Sequence, residues 1–215
     1  MENSVFIKSY KLPSFDKKEI LRYMGAKNSD EKTDKVINEA ISLIEGKLKP
    51  SVCYILLPYY GDGDFSCFKV KSESLVKNLK DCKGVILFGA TIGSELDRLI
   101  LKYGKLSPLT ALALQATGAE RIEALCDMFI KDMKKDYSLK PRFSPGYGDF
   151  SLEYQKDIFE ILKPQGKIGL TLNSSLIMSP SKSVTAIAGI CDTPCEEKSS
   201  CSECEKKDCE FRRLV

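Results

Sequence analysis

The chain has 215 residues, of which 43% are hydrophobic and 29% are charged, and its formal net charge is +3. This length supports one substantial core, and the near-neutral balance lacks the basic footprint of a nucleic-acid-binding protein. Histidine and tryptophan are absent, which excludes a Ser-His-Asp triad, a Cys-His dyad and any histidine-ligated zinc site.

The first residues, MENSVFIKSYKLP, lack the apolar core of a signal peptide. Apolar runs also stay well short of the roughly 18 residues that a membrane-spanning helix needs. We therefore expect a cytoplasmic protein that binds neither membrane nor nucleic acid.

Two helices are predicted at the N-terminal end. Residues 14 to 24 form a short helix opened by Ser14 or Asp16. Residues 33 to 48 form a longer one, because apolar residues recur along one stripe and Thr33 is a suitable N-cap.

The spacing of apolar residues then changes from the pattern of a helix to that of strands. Compact apolar runs predict strands over 52–58 and 65–70, joined by the turn GDGD. A helix is predicted over 73–81, and a buried strand over 84–93 that ends in a glycine-bearing turn. Ser94 then caps the helix SELDRLILKYG.

The longest predicted helix begins at Ser107-Pro108, with proline in its favoured first-turn position, and runs to about Asp136. Apolar residues recur along it at intervals of three and four residues, which predicts one buried face. Gly118 interrupts this face and indicates a close contact with another helix. The remaining predicted elements are a helix over 152–162 and strands over 167–172 and 183–190, the strands being joined by the turn MSPSK.

The predicted strands and helices neither alternate strictly along the chain nor fall into separate blocks. This order predicts an α+β domain with a mixed or antiparallel twisted sheet and packed helices. Apolar content collapses near residue 190, so we expect a domain over 1–190 and a cysteine-rich C-terminal tail over 191–215.

The segment RFSPGYGDFS, residues 142 to 151, has the composition of a ligand-binding loop. Arg142 offers a planar fork of donors for a carboxylate or phosphate, and Tyr147 offers an aromatic face with a polar tip. Pro145 fixes φ, while Gly146 and Gly148 allow close approach of the backbone or a positive φ. The plainer alternative is a connection between two helices, with Arg142 in a surface ion pair.

This loop, followed by a helix and then IGLTLNSSLIMSPSKSVTAIAG, resembles the activation domain of cobalamin-dependent methionine synthase. In that family Arg-x-x-x-Gly-Tyr contributes to an S-adenosylmethionine site, and L-T-E-S-x-x-M-x-P-x-x-S-V-S-G follows downstream. The pattern is matched here by Leu172, Ser175, Met178, Pro180, Ser183 and Val184. Asn173 and Ser174 replace its Thr-Glu, and Ala186 replaces its last glycine.

The resemblance implies a role for each matching residue. Arg142 would pair with the ligand carboxylate, backbone around Ser144 and Gly146 would contact the ligand, and Tyr147 would orient it. Glu123 would lie near the amino group or sulfonium, although a solvated helix carboxylate is an equal alternative. The local similarity around Asp16 is too thin to assign that residue an N-terminal acidic contact.

The implied function is reactivation of a corrinoid whose cobalt has been stranded as Co(II), by an electron and a methyl group from S-adenosylmethionine. The chain lacks an Asp-x-His-x-x-Gly cobalamin motif, so cobalamin would be supplied by a partner. That partner would be a cobalamin-dependent methionine synthase or another corrinoid protein, with flavodoxin or ferredoxin as electron donor.

Nine cysteines are present. Cys53, Cys67, Cys82 and Cys126 lie in apolar or amphipathic surroundings and are predicted to be small core residues. The other five, with spacing typical of metal ligands, are Cys191, Cys195, Cys201, Cys204 and Cys209.

The five clustered cysteines exceed the four that one zinc ion or one [4Fe–4S] cluster needs. We expect Cys195, Cys201, Cys204 and Cys209 as ligands and Cys191 as an exchangeable alternative. A redox thiol pair at Cys201 and Cys204, or a tail with free thiols, remain alternatives. The alternative function for the whole chain is a non-catalytic ligand-sensing or adaptor protein with a metal-stapled tail.

Overall fold

The computed structural model describes residues 4–26 and 28–192. Its principal sheet has five strands in the order β1-β2-β3-β7-β4, and every neighbouring pair is antiparallel. The strands of this sheet are β1 (Phe6–Ser9), β2 (Ser51–Pro58), β3 (Cys82–Thr91), β4 (Ser138–Leu139) and β7 (Ser183–Cys191). A separate hairpin pairs β5 (Thr171–Leu172) with β6 (Met178–Ser179).

Helices cover both faces of the sheet. They are α1 (Lys17–Tyr23), α2 (Glu31–Ile44), α3 (Glu73–Asn78), α4 (Glu95–Leu106), α5 (Pro108–Met133), α6 (Gln155–Leu162) and α7 (Pro164–Ile168), with a 3₁₀ turn at Leu152–Tyr154 before α6. The predicted fold class, α+β with an antiparallel sheet, is confirmed.

Alternate residues of the central strands build two cores. Tyr54 and Phe88 point to the face covered by α2, α4 and α5, where Phe129 packs against both rings. Their neighbours Ile55 and Leu87 point to the opposite face, covered by α3, α6 and the loop that contains Phe150. Because both faces are buried, β2 reads as a continuous apolar run rather than an alternating one.

The long helix α5 begins and packs as the sequence predicts. Ser107 accepts a hydrogen bond from the backbone of Thr110 as N-cap, and Pro108 opens the helix. A Cβ at Gly118 would lie 2.1 Å from a methyl carbon of Leu96 on α4, so the absence of a side chain there lets the two helices approach closely.

The second helix differs from its predicted limits. Its N-cap is Asp30, whose side chain accepts a hydrogen bond from Thr33 N at 2.7 Å, so Thr33 lies in the first turn and the predicted cap is wrong. The helix ends at Ile44, since Gly46 takes the left-handed conformation at φ 71° and turns the chain away.

Two predicted strands are largely wrong. Residues 65–70 form a compact loop, closed by a backbone bond from Val70 to Gly63 and by an isolated bridge between Asp64 and Lys69. Residues 167–172 contain the end of α7, which Gly169 terminates at φ 69°, and only the two residues of β5 are extended.

Cys53 and Cys126 are buried as predicted, but Cys67 is exposed on the loop after Gly63 and Cys82 is only half-buried. Among the described residues, helices long and apolar enough to cross a membrane are absent.

Candidate functional site

The loop that begins at Arg142 continues the edge of the sheet. After β4, Lys140 donates to the carbonyl of Gly189, and Phe143 exchanges two backbone hydrogen bonds of 2.8 Å with Ile187 on β7. The chain therefore follows β7 until Phe143 and then turns, which fixes the position of every residue behind it.

The turn itself spans Ser144 to Tyr147. Tyr147 N donates to the carbonyl of Ser144 at 3.2 Å, Pro145 occupies the second position and Gly146 the third with φ 94°. This is the residue pattern of a type II turn, in which the third position requires a positive φ. The N–H of Gly146 donates to Phe150 at 2.7 Å, and Tyr147 projects its ring with 64% exposure.

Asp149 ties the end of the loop to α3. Its carboxylate accepts hydrogen bonds from the Ser72 hydroxyl at 2.6 Å and from the backbone N–H groups of Glu73 at 2.7 Å and Ser74 at 3.1 Å. These bonds, led by the Ser72 hydroxyl, hold the pKa of Asp149 well below its usual range.

Arg142 itself points at α5. Its Nη2 lies 2.6 Å from Glu123 Oε2 and 3.3 Å from Asp127 Oδ1, and its side chain is 21% exposed. Nη1 is buried and has no hydrogen-bond partner among the described residues. The ion pair expected by the plainer interpretation is thus present, and one edge of the guanidinium has no acceptor within the described part of the chain.

The electrostatics keep this arginine charged. Burial opposes its charged form, but the charges of Glu123 and Asp127 beside it favour that form, and the pKa of Arg142 is raised. Burial also raises the pKa of Cys126 to about 12, so its thiol is neutral at pH 7 and the two carboxylates provide the stabilisation.

Glu123 and Asp127 also line an open groove of about 960 Å³ between α5 and the segment that leads into α1. Among the described residues, carboxylates outnumber lysines in its lining, which comprises Pro13, Ser14, Phe15, Asp16, Lys17, Lys18, Glu19, Glu120, Glu123, Ala124, Asp127, Met128 and Lys131. Of these carboxylates, Glu123 and Asp127 are paired with Arg142, and Glu120 is paired with Arg121.

Residues 13–16 form the groove wall opposite α5, and a buried ion pair on α5 holds them in position. Arg121, 2% exposed, pairs with Glu120 and donates to the carbonyls of Pro13 at 2.6 Å and Ser14 at 3.2 Å. Its guanidinium also lies 4.2 Å from the centre of the Phe15 ring. The groove therefore has one wall from α5 and one that α5 holds in place.

The structure brings together some predicted site residues and separates others. Glu123 and Arg142 are in contact, and Asp16 lies in the same groove as Glu123. Arg142 itself is outside the groove lining among the described residues, as are Ser144, Gly146 and Tyr147 of the adjoining turn. The sequence interpretation missed Asp127, although its position one helical turn after Glu123 places both on one face of α5.

The downstream segment of the family pattern forms the hairpin β5–β6 and the start of β7. Asn173 Oδ1 accepts from the N–H groups of Ser175 and Ile177, both at 2.9 Å, and so builds the hairpin turn. Ser183 donates to the carbonyl of Pro180 at 2.8 Å, after the cis peptide bond between Ser179 and Pro180. The departure from the pattern at Asn173 thus has a local structural role.

Of the predicted metal ligands, Cys191 is described and ends β7, where its Sγ lies 3.2 Å from that of Cys82. Cys195, Cys201, Cys204 and Cys209 lie outside the described residues. Within residues 4–26 and 28–192, clusters of three or more groups suited to a metal ion are absent. The tail site stays a prediction.

No family model and no curated protein matches this chain. Among solved structures, the chain is similar to the crystal structure of the MetH reactivation domain bound to AdoHcy, S-adenosylhomocysteine. The likeness has a TM-score of 0.64 and covers 87% of this chain and 78% of that chain, at 15% sequence identity. At this identity, the likeness establishes the fold.

Proposed function

We propose that this chain is a reactivation module that binds S-adenosylmethionine and serves a separate corrinoid protein, such as a cobalamin-dependent methionine synthase. The observation that carries the proposal is the pairing of a fold similar to the MetH reactivation domain with Arg142 at the head of the R-x-x-P-G-Y loop, held against two groove carboxylates.

The residues present fit such a ligand. The buried Nη1 of Arg142 lacks an acceptor among the described residues, and a carboxylate is the acceptor that a guanidinium pairs with most strongly. Glu123, Asp127 and Asp16 along the groove would attract an ammonium or sulfonium cation. Tyr147, in the turn that follows Arg142, offers an exposed aromatic face.

When bound, S-adenosylmethionine supplies a methyl group on a positively charged sulfur, for transfer to cobalt reduced by an external donor. Arg142 binds and orients the carboxylate end of the ligand. The carboxylates of α5 hold its positive charge, and the buried pair of Glu120 and Arg121 keeps the opposite groove wall in position.

The test combines the purified chain with a Co(II) corrinoid protein, a low-potential reductant and S-adenosylmethionine labelled in its methyl group. We expect label on the corrinoid only when the chain is present, and much less with an Arg142→Ala variant. Arg98→Ala is the matched control, because Arg98 is an exposed helix residue paired with Glu95 at 3.6 Å.

Binding of S-adenosylmethionine without transfer to any corrinoid partner would favour the ligand-sensing or adaptor function. Absence of binding by both the wild type and the control variant would contradict both functions. Flavodoxin and ferredoxin can be supplied in turn as the reductant, which also identifies the class of electron donor.

A further inference from the structure

Two cysteines from different parts of the chain meet at one end of the sheet. Cys82 opens β3 and Cys191 closes β7, and the two are partners in the strand register. Their Sγ atoms are 3.2 Å apart in thiol–thiol contact. We propose that Cys82 and Cys191 form a reversible disulfide that locks the end of β7 to β3.

The backbone geometry suits this bond. Residues directly opposite in antiparallel strands have Cα atoms about 4.5 to 5.5 Å apart, within the range that disulfides span. The sulfur atoms need to approach by only about 1 Å to reach bonding distance. A register irregularity between Cys82 and Gly84 interrupts the ladder at this point.

Neighbouring contacts hold the two strand ends together before any bond forms. Lys83 and Asp192, the residues immediately after each cysteine, make an ion pair across the strands. Cys82 N donates to the carbonyl of Leu79 at 3.1 Å, and Ser138 of β4 is the other register partner of Cys191. The thiols are thus presented to each other by backbone that is fixed on both sides.

Exposure differs between the two thiols and sets the order of events. Cys82 is half-buried, whereas Cys191 is 7% exposed. Cys82 therefore meets a reagent from solution first, and Cys191 resolves the product. Cys53 on β2 and Cys126 on α5 are fully buried, so they serve as internal controls for cysteines that a reagent in solution does not reach.

The oxidant we assign is a low-molecular-weight disulfide, R–S–S–R. The Cys82 thiolate attacks one of its sulfur atoms, which forms a mixed disulfide and releases one RS⁻. The Cys191 thiolate then attacks the Cys82 sulfur and releases the second RS⁻. The two protein thiols lose two protons and two electrons, and R–S–S–R is reduced to two R–SH.

This bond would have two consequences for the chain. It closes a covalent loop between residues separated by 109 positions, which restricts the unfolded chain and raises the unfolding temperature. It also withdraws the Cys191 thiolate from any ligand set formed with the cysteines that follow it in sequence. The oxidation state of this pair would thereby control how many thiolates the tail can offer a metal.

The experiment incubates the full chain with glutathione at increasing ratios of the oxidised to the reduced form. Remaining thiols are alkylated, and the peptides are mapped by mass spectrometry without reduction. We expect a linked Cys82–Cys191 peptide to become the main form of both cysteines under oxidising conditions and to disappear on return to reducing ones. Exposed Cys67 should show only glutathione adducts, which confirms that the reagent reacts.

A Cys82→Ser variant provides the second readout. Oxidation should raise the unfolding temperature of the wild type by an amount that this variant loses. The proposal is overturned if Cys82 and Cys191 both stay alkylated while Cys67 is modified, or if Cys191 is linked mainly to another cysteine. The mapping is performed on the wild-type chain, so the result stands even if the variant folds poorly.

Discussion

Arg142 Nη2 lies 2.6 Å from Glu123 Oε2, and this contact joins the end of the sheet edge to the middle of α5. Asp127, one helical turn further along α5, lies 3.3 Å from the same nitrogen. The guanidinium is thus held in one orientation, and its buried Nη1 lacks an acceptor among the described residues. Preorganisation of this kind lowers the entropic cost of binding.

Replacement of Arg142 by alanine should weaken S-adenosylmethionine binding by at least tenfold, which corresponds to about 1.4 kcal/mol. The variant loses the donor to the ligand carboxylate and leaves Glu123 and Asp127 without their guanidinium partner. Isothermal calorimetry on the wild type and the variant measures the change.

The Arg98→Ala control should bind like the wild type, since Arg98 is exposed on the surface of α4, where it pairs with Glu95. Equal affinities for the wild type and Arg142→Ala would remove Arg142 from the ligand site.

The sequence was sufficient to predict the loop but not its environment. Arg142, Pro145 and Gly146 have side-chain or backbone properties that are readable from residue type alone, and Gly146 indeed takes φ 94°. The contact between Arg142 and Asp127 depends on how the loop packs on α5, and the position of Asp16 depends on how α1 packs on α5. Residue patterns specify neither packing. The role of the site residues in ligand binding stays a prediction.

The same limit applies to the fold. Long segments with a strong period, such as α5 and the strands β2, β3 and β7, were predicted within a few residues of their observed limits. The short edge strands β1 and β4 were missed, because pairing with a longer neighbour rather than their own pattern makes them extended. Residues 65–70 were predicted as a strand on apolar content, but positive φ at Gly63 and Ser66 folds the segment back.

Replacement of Arg121 by methionine should lower the free energy of unfolding by about 3 to 5 kcal/mol. The Glu120 carboxylate would remain buried with no guanidinium, and the carbonyls of Pro13 and Ser14 would lose their donor. Urea unfolding followed by circular dichroism measures the loss.

The double replacement Glu120→Leu with Arg121→Met should cost less than the single one, because it leaves no uncompensated buried charge. Arg98→Met should change stability by no more than about 0.5 kcal/mol, as expected for an exposed position. A single variant as stable as the wild type would show that this pair does not hold the groove wall.

The stability contributed by Asp149 should depend on pH. Its folded pKa is depressed by the Ser72 hydroxyl and the N–H groups at the start of α3. The contribution is therefore complete above the ordinary aspartate pKa of about 3.9 and is lost as the pH falls towards the folded value. An Asp149→Asn variant should be less stable than the wild type at pH 7, and the difference should shrink below about pH 4.

Chemical unfolding of both proteins at pH 7, 5 and 3 measures that difference, and contributions common to the two proteins cancel. A gap that stays constant across this range would mean that the carboxylate charge at Asp149 contributes nothing to the attachment of the loop to α3.

Gly148→Ala should destabilise the protein more than Gly169→Ala, although both glycines have a positive φ, 54° and 69°. A Cβ at Gly169 meets nothing within 4 Å, so that variant carries only the left-handed strain of about 1 to 2 kcal/mol. A Cβ at Gly148 would lie 2.6 Å from Ser74 Oγ and 2.9 Å from Ser74 Cβ, which forces the loop away from α3 at a further cost of about 1 to 3 kcal/mol.

Urea unfolding compares the two variants, and calorimetry should find weaker S-adenosylmethionine binding only in Gly148→Ala, because only that change displaces the loop behind Arg142. Equal destabilisation with unchanged binding in both would mean that the loop accommodates the extra carbon without moving the candidate site.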